Sequence, residues 1–248
     1  MTEPRRGPGV FVPTLACLVC VAILCGLGVW QLQRKVWKEN LIAMMTARLD
    51  ASPQPLPPRA EWAKLTQAND EFRRVAFNAE FLPGQEALVY TPGSPLRRDV
   101  SGPGYWVFAP ARLPDGSIVV VDRGFVPADR KDLASRAAGV PKGQIDIVGV
   151  LRWPEQRSTF TPGEEANGNV WFVRDPAAMS ARAHWDAQAP FYVDQESPVP
   201  PGGWPKPGKL EVHLRDDHLQ YAITWFGLAA GLIGVYAWWL VGVLRRRG

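Results

Sequence analysis

The sequence predicts a membrane protein in which two terminal transmembrane helices flank one α+β domain, mainly an antiparallel sheet or small barrel with one or two helices. An uncharged apolar run lies near each end of the chain. Between the two runs, short stretches of alternating apolar and polar residues are separated by Gly and Pro, which is typical of strands joined by turns. The 248 residues leave room for one ordinary domain once two spans are removed.

The first span is predicted over residues 10–30 and the second over residues 219–244. Each run is roughly 21 residues or longer, which at about 1.5 Å per helical residue covers one hydrocarbon thickness of about 30 Å. An alternative for the first run is a cleavable signal peptide, because Arg5 and Arg6 precede it. The length of the run and the lack of a small-x-small cleavage motif before Trp30 favour a retained span.

Positive charge beside the spans predicts their orientation. Arg245, Arg246 and Arg247 follow the second span, and cytoplasmic segments are enriched in such residues. Basic residues flank the first span on both sides, so that span gives no orientation by itself. Because two spans place both ends on one side, we expect residues 1–9 and 245–248 in the cytoplasm and the domain, residues 31–218, outside.

The region between the spans is predicted to begin as a helical stalk over 31–49, which lacks Gly and Pro. Clustered prolines then predict an extended linker over 50–60. Beyond it, Asp175 followed by Pro176 predicts a capped helix, and alternating residues predict strands. The predicted strands are 75–81, 88–91 as its neighbour, 105–111 and 117–121 as a hairpin, 145–153, 170–173, 191–193 and 209–214, and the predicted helices are 128–138 and 177–185.

The composition restricts the chemistry of the domain. All three cysteines, Cys17, Cys20 and Cys25, lie in the first span, so the domain has neither a disulfide nor a thiol nucleophile. The sequence carries no hydrolase, zinc-protease or phosphate-loop motif, and its three histidines are too few for a four-ligand zinc site. Lys and Arg, 28 in all, nearly balance 24 Asp and Glu, which argues against a nucleic-acid-binding face. We therefore expect a protein that is not an enzyme and binds no nucleic acid.

His218 is the residue whose position suggests a ligand. It directly precedes the second span, and in a helix Tyr221 and Trp225 share its face. An imidazole beside two aromatic rings at the membrane surface could hold a flat amphipathic cofactor such as haem, with the imidazole as axial ligand. An interfacial aromatic belt around a solvated histidine fits the same residues.

Two further segments carry polar residues of interest. The outer end of the first span contains Trp30, Gln31 and Arg34 at the same expected depth as His218, and Arg34 could pair with a carboxylate, a propionate or a lipid phosphate. In Val121–Pro127, the glycine is expected to permit a turn or bulge, and Asp122 with Arg123 is expected to form a local ion pair.

Six stretches, ordered between two terminal spans, resemble the Surfeit locus protein 1 (Shy1) family over nearly the whole chain. The resemblance implies an assembly factor for haem-copper cytochrome c oxidase, with two spans and the domain in the periplasm or intermembrane space. One departure from the family pattern is Asp122, where many relatives have Asn, and we attach no function to it. The stretches are Gly28–Lys38, Gly104–Phe108, Val121–Pro127, Gly149–Arg152, Asn169–Asp175 and His218–Trp225.

The resemblance also implies a cofactor and partners. Bacterial members look like haem a binders that pass haem to oxidase subunit I, and the matching position for their candidate metal ligand is His218. Only about nine residues precede the first span, too few for a mitochondrial transit peptide, so we expect a bacterial inner membrane. The expected partners are oxidase subunit I, other oxidase assembly factors and membrane lipid. A scaffold that stabilises oxidase subunits without binding haem stays open as the alternative. The residues implied in haem binding are His218, Tyr221, Trp225, Trp30, Gln31 and Arg34.

Overall fold

The computed structural model describes residues 9–94, 96–159, 161–162, 169–212 and 216–246. The chain forms two units, which we name the helical unit (Met1–Ala43 with Leu214–Gly248) and the globular unit (Met44–His213). The α-helices are α1 (Phe11–Asp50), α2 (Gln67–Asp70), α3 (Pro176–Ala183) and α4 (His218–Arg245). The strands are β1 (Gln54–Pro55), β2 (Arg74–Phe81), β3 (Ala87–Thr91), β4 (Gly104–Arg112), β5 (Ile118–Pro127), β6 (Gln144–Arg152), β7 (Val170–Trp171) and β8 (Tyr192–Ser197).

Helices α1 and α4 are long and apolar enough to cross a membrane, which makes them candidate spans. Their apolar side chains are largely exposed, as lipid-facing residues are: Ile223 is 64% exposed and Trp238 is 81% exposed. α1 continues without a break through the predicted stalk to Asp50. The structure therefore contains the two terminal helices that the sequence predicted.

The globular unit contains a closed five-stranded barrel. Its strands follow the order β2-β6-β8-β5-β4, and β4 returns to β2 through the pairs Glu80 with Arg112 and Phe81 with Ala111. Each barrel pair is antiparallel except β5 with β8, which is parallel. β3 and then β7 extend the sheet beyond β4. The predicted class, an α+β domain built on a mainly antiparallel small barrel, is confirmed.

Alternating apolar residues from all five strands fill the barrel. Val75, Val121, Ile147, Leu151 and Val193 are completely buried in this cluster. A second cluster lies beneath α3 and includes the buried rings of Trp106, Phe108, Trp185 and Tyr192. Burying a large apolar side chain contributes about 1.5–3 kcal/mol, so these two clusters supply the stabilisation that a domain without disulfides requires.

Several predicted elements differ from the structure. Strand β3 does not pair with β2, because it forms an antiparallel ladder with β4 instead. The predicted helix over 128–138 consists of two 3-10 segments, Ala128–Arg130 and Leu133–Gly139. Within the predicted linker, Gln54–Pro55 add a parallel edge strand to β2, and a 3-10 helix, Arg59–Lys64, begins before the predicted linker ends. Residues 209–212 are not a strand, and the rest of that prediction, 213–214, lies outside the described residues.

The capped helix was predicted correctly. The Asp175 side chain accepts a hydrogen bond from the backbone N–H of Ala178 at 3.0 Å, and Pro176 occupies the first turn of α3. This satisfies one of the backbone donors that a helix leaves unpaired at its start. His184 ends the helix in the left-handed conformation, with φ of 55°.

The segment that ends β5 departs from its prediction in one respect. Gly124 has φ of +114°, and a Cβ there would lie 2.2 Å from the carbonyl oxygen of Lys206, so the expected special backbone at this glycine is confirmed. The expected ion pair between Asp122 and Arg123 is wrong. These neighbours point to opposite faces of β5, because side chains alternate along a strand, and Arg123 donates to the carbonyl of Gly139 instead.

Candidate functional site

His218 is the first residue of α4, directly after the N-cap residue Asp217. Its backbone N–H donates to Oδ1 of Asp216 at 3.1 Å, which satisfies a backbone donor at the start of the helix. His218 and Gln31 are both partly buried, whereas Leu219 is 49% exposed. The imidazole is therefore held at a helix start within the helical unit.

The imidazole has a defined partner on α1. Nδ1 of His218 lies 2.7 Å from Oε1 of Gln31. With the Gln31 amide in this orientation, its oxygen accepts the hydrogen bond, and Nδ1 of the imidazole carries the proton. Nε2 then carries the free lone pair, which is the arrangement that metal-binding histidines adopt when a neighbouring group fixes the other ring nitrogen.

Two more contacts join α1 to α4. Near the opposite end of the pair, the hydroxyls of Thr14 and Tyr236 are hydrogen-bonded. Between the two polar contacts, a Cβ at Gly28 would lie 2.6 Å from the tip of the Phe226 ring, so this ring would have to shift if position 28 carried a side chain. As residue numbers rise along α1 they fall along α4, so the helices are antiparallel. Gln31 lies 17 residues from Thr14, or about 26 Å along a helix, which is close to one hydrocarbon thickness.

The other predicted site residues lie on the same two helices but do not converge on the imidazole. Trp30 and Tyr221 are 54% and 55% exposed, and Trp225 is partly buried. Arg34 is exposed, and its guanidinium carbon lies 3.8 Å from the ring centroid of Trp37, one turn further along α1. Among the residues that the structure describes, Gln31 is thus the only predicted partner that forms a hydrogen bond with His218.

The described ranges contain no group of three or more His, Cys, Asp or Glu side chains placed to hold a metal ion. His213, a further histidine in the sequence, lies outside those ranges. Among the described residues, the helical unit offers the His218 imidazole to a metal, which would suit a metal ion that a cofactor already holds.

A second polar cluster lies in the globular unit, and the sequence reasoning missed it. Asp122 and Asp194 are direct neighbours across the parallel pair β5–β8, and both are buried. Oδ1 of Asp122 accepts from the backbone N–H of Gly124 at 3.0 Å, whereas Oδ2 of Asp122, Oδ1 of Asp194 and the Tyr192 hydroxyl have no partner among the described residues. The signal in the sequence was a carboxylate inside an otherwise apolar strand, at Val121-Asp122 and again at Val193-Asp194.

Burial dominates the electrostatics of this cluster. Burial and then the adjacent carboxyl of Asp194 raise the pKa of Asp122, the cation of Arg174 opposes the change, and the net pKa is about 8. Burial likewise raises the pKa of Asp194 and raises that of Tyr192 to about 12. Two adjacent carboxyls away from water cannot both ionise readily, so the pair holds a proton at neutral pH.

The fold defines a class of protein with two candidate membrane spans and a small barrel domain. Its distinctive polar contact joins His218, in the first turn of α4, to Gln31 on α1. The family comparison is specific. Residues 18–230 match the model of the SURF1 family. The chain belongs to the SURF1 family.

Individual relatives agree with this assignment. A SURF1-like protein of Monosiga brevicollis is 34% identical over 98% of this chain and 90% of its own length. Surfeit locus protein 1 of Rattus norvegicus is 36% identical over 90% of this chain and 73% of its own length. The human Surfeit locus protein 1 is also 36% identical, over 83% of this chain and 70% of its own length. Each match covers more than four-fifths of this chain, and the family prediction from the sequence motifs is confirmed.

Proposed function

We propose that this protein assists the assembly of cytochrome c oxidase by binding haem a at the outer membrane surface and supporting its insertion into subunit I. The SURF1 family is known as a family of cytochrome c oxidase assembly factors and not as a class of enzymes. A factor of this kind needs a ligand group and a release route, and it has no transition state to stabilise.

The observation that carries the haem proposal is the hydrogen bond between His218 and Gln31. It fixes the neutral tautomer with the proton on Nδ1 and leaves the Nε2 lone pair free. An imidazole nitrogen would bind haem iron, and a hydrogen bond to the other ring nitrogen, such as the one that Gln31 makes, orients the ring. The residues present therefore fit a haem ligand.

Other groups of the helical unit would position the macrocycle. Tyr221 and Trp225 follow His218 by three and seven residues on α4, so their rings share its helix face and offer flat apolar contacts. The guanidinium carbon of Arg34 lies 3.8 Å from the ring centroid of Trp37, and the N–H groups of Arg34 can donate to a propionate. Trp30 is exposed next to Gln31 and provides a further aromatic contact.

The same proposal includes a topology. We place the chain in a bacterial inner membrane with both termini in the cytoplasm, the globular unit in the periplasm, and oxidase subunit I, other assembly factors and lipid as its partners. The positive residues after α4 support this orientation. Protease added to intact spheroplasts should digest the globular unit, whereas a cytoplasmic globular unit would survive until the cells are lysed.

The test of haem binding is the absorption spectrum of the detergent-purified chain, co-expressed with haem a synthesis. The wild type should carry haem a, His218→Ala should lose it, and Gln31→Leu should bind about 10–100-fold more weakly, because it removes only the group that orients the imidazole. His184→Asn is the matched control, since His184 is an exposed histidine on α3. A colourless wild type, or equal binding by wild type and His218→Ala, would refute the haem proposal and leave the scaffold without haem as the function.

A further inference from the structure

The globular unit contains a buried cation that has no counterion among the described residues. Arg123, on β5, is only 6% exposed. Its Nη2 donates to the carbonyl of Gly139 at 2.6 Å, and its guanidinium carbon lies 4.9 Å from the ring centroid of Phe81. A guanidinium has five N–H donors, so this hydrogen bond uses one of them. Within the ranges that the structure covers, Arg123 forms no ion pair with a carboxylate.

The acidic residue whose charge acts on Arg123 is Glu86, and its carboxylate already has a cationic partner. Both carboxylate oxygens of Glu86 accept hydrogen bonds from Arg136, whose side chain is 1% exposed. Burial lowers the pKa of Arg123, Glu86 partly offsets this effect, the cation of Arg136 adds to it, and the net pKa is about 10. Burying a charge is unfavourable unless it is paired, so Arg123 would gain from an anion that the described residues do not provide.

Arg123 lines a cleft of about 570 Å³. The size is typical of a small-molecule pocket. Most of its wall is apolar and rigid, formed by short aliphatic side chains and prolines, and Lys142 adds a second cation. Val199, in this wall, is 62% exposed, so an apolar surface faces the cleft opening. The lining includes Ala137, Val140, Pro141, Val199, Pro200 and Pro201.

We propose that this cleft binds a small amphiphilic carboxylate, with the carboxylate paired to Arg123 and its apolar body packed against Val140, Pro141 and Val199. Charge complementarity selects the head group, because a carboxylate accepts two parallel N–H donors from a guanidinium. The apolar lining of the cleft favours a ligand whose remaining atoms are apolar. The site lies wholly in the globular unit and uses none of the residues proposed for haem binding.

A specific probe tests the proposal on the full chain in detergent micelles. Titration calorimetry compares 2-naphthylacetate with its neutral amide, 2-naphthylacetamide, and empty micelles provide the blank for partitioning. The two probes share the same apolar body, so their difference reports the charge. The acid should bind at least about tenfold more tightly than the amide, as expected for a charge-assisted hydrogen-bonded pair.

Variants then identify the cation. Arg123→Gln should bind the acid and the amide alike, and Arg123→Lys should keep part of the preference for the acid. Arg112→Gln is the control and should behave as the wild type, because Arg112 is exposed at the end of β4 and lies outside the cleft. The near-ultraviolet circular dichroism of each variant checks its folding. Should Arg123→Gln fail to fold, the wild-type comparison and Arg123→Lys still decide. Equal binding of the two probes by the wild type, binding of neither, or a preference that survives in a folded Arg123→Gln would overturn the proposal.

Discussion

Replacing Asp122 by Asn should remove a pH dependence from the stability of the globular unit. Asp122 is buried beside Asp194, and its pKa is raised from 3.8 to about 8. An unfolded chain holds this carboxyl ionised above pH 4, whereas the folded chain keeps it protonated until about pH 8. Unfolding therefore releases a proton throughout this window, and the wild type loses stability as pH rises through it.

The magnitude follows from one proton. Stability should fall by about 1.4 kcal/mol for each pH unit, or about 2.7 kcal/mol between pH 5 and pH 7. Asn is neutral at every pH, its oxygen can still accept from the backbone of Gly124, and its amide can donate to Asp194. The stability of Asp122→Asn relative to the wild type should therefore increase by about 2.7 kcal/mol over the same interval.

Pulse proteolysis in urea measures this difference on the full chain, because brief protease treatment digests the unfolded fraction of the globular unit. The two proteins are compared at pH 5 and pH 7, so the titrating groups remote from the Asp122–Asp194 pair, which both proteins share, cancel. If the difference in stability between Asp122→Asn and the wild type is the same at pH 5 and pH 7, then Asp122 is ionised in the folded protein and the inference of a shared proton is refuted.

The same assay tests three further substitutions. Arg74→Met should destabilise the globular unit by about 3–5 kcal/mol, because it leaves the buried Glu196 carboxylate without the partner that now lies 2.7 Å away. Adding Glu196→Leu should restore much of the lost stability. A double variant no more stable than the single one would contradict this reasoning. Gly124→Ala should cost at least about 2 kcal/mol, since its Cβ would clash with the Lys206 carbonyl at a positive φ; a neutral effect would mean that the backbone relaxes freely there. Asp175→Ala should cost about 1 kcal/mol through the lost cap of α3, and an unchanged midpoint would show that water replaces it.

Local patterns were enough to predict most elements of the fold. The alternation of apolar and polar residues predicted β2 and β6 nearly residue for residue, and the consecutive residues Asp175 and Pro176 predicted the start of α3. Pairing between distant segments was not predictable in this way. β3 follows β2 in the chain, yet it pairs with β4, because β2 already has β6 on one side and β4 closes the barrel on the other.

Buried charge shows the same limit. Each acidic residue of the Asp122–Asp194 pair looks like an isolated polar residue in its own strand, and its neighbour is 72 positions away in the sequence. Arg123 was expected to pair locally with Asp122, but strand alternation places the two on opposite faces. A charged residue at an apolar position of a strand is a useful warning of such a cluster, although it does not identify the partner.

The candidate ligand illustrates what three-dimensional structure adds to a motif. The sequence placed His218 and Gln31 at the same expected depth, but it could not state which imidazole nitrogen would be free. That assignment depends on a hydrogen bond between residues 187 positions apart, and on the close approach of α1 and α4 at Gly28. A larger residue at position 28 would displace the Phe226 ring, about one turn along α1 from Gln31. The tautomer of the imidazole is thus linked to helix packing, and a substitution at Gly28 should affect ligand binding without altering any group that touches the ligand.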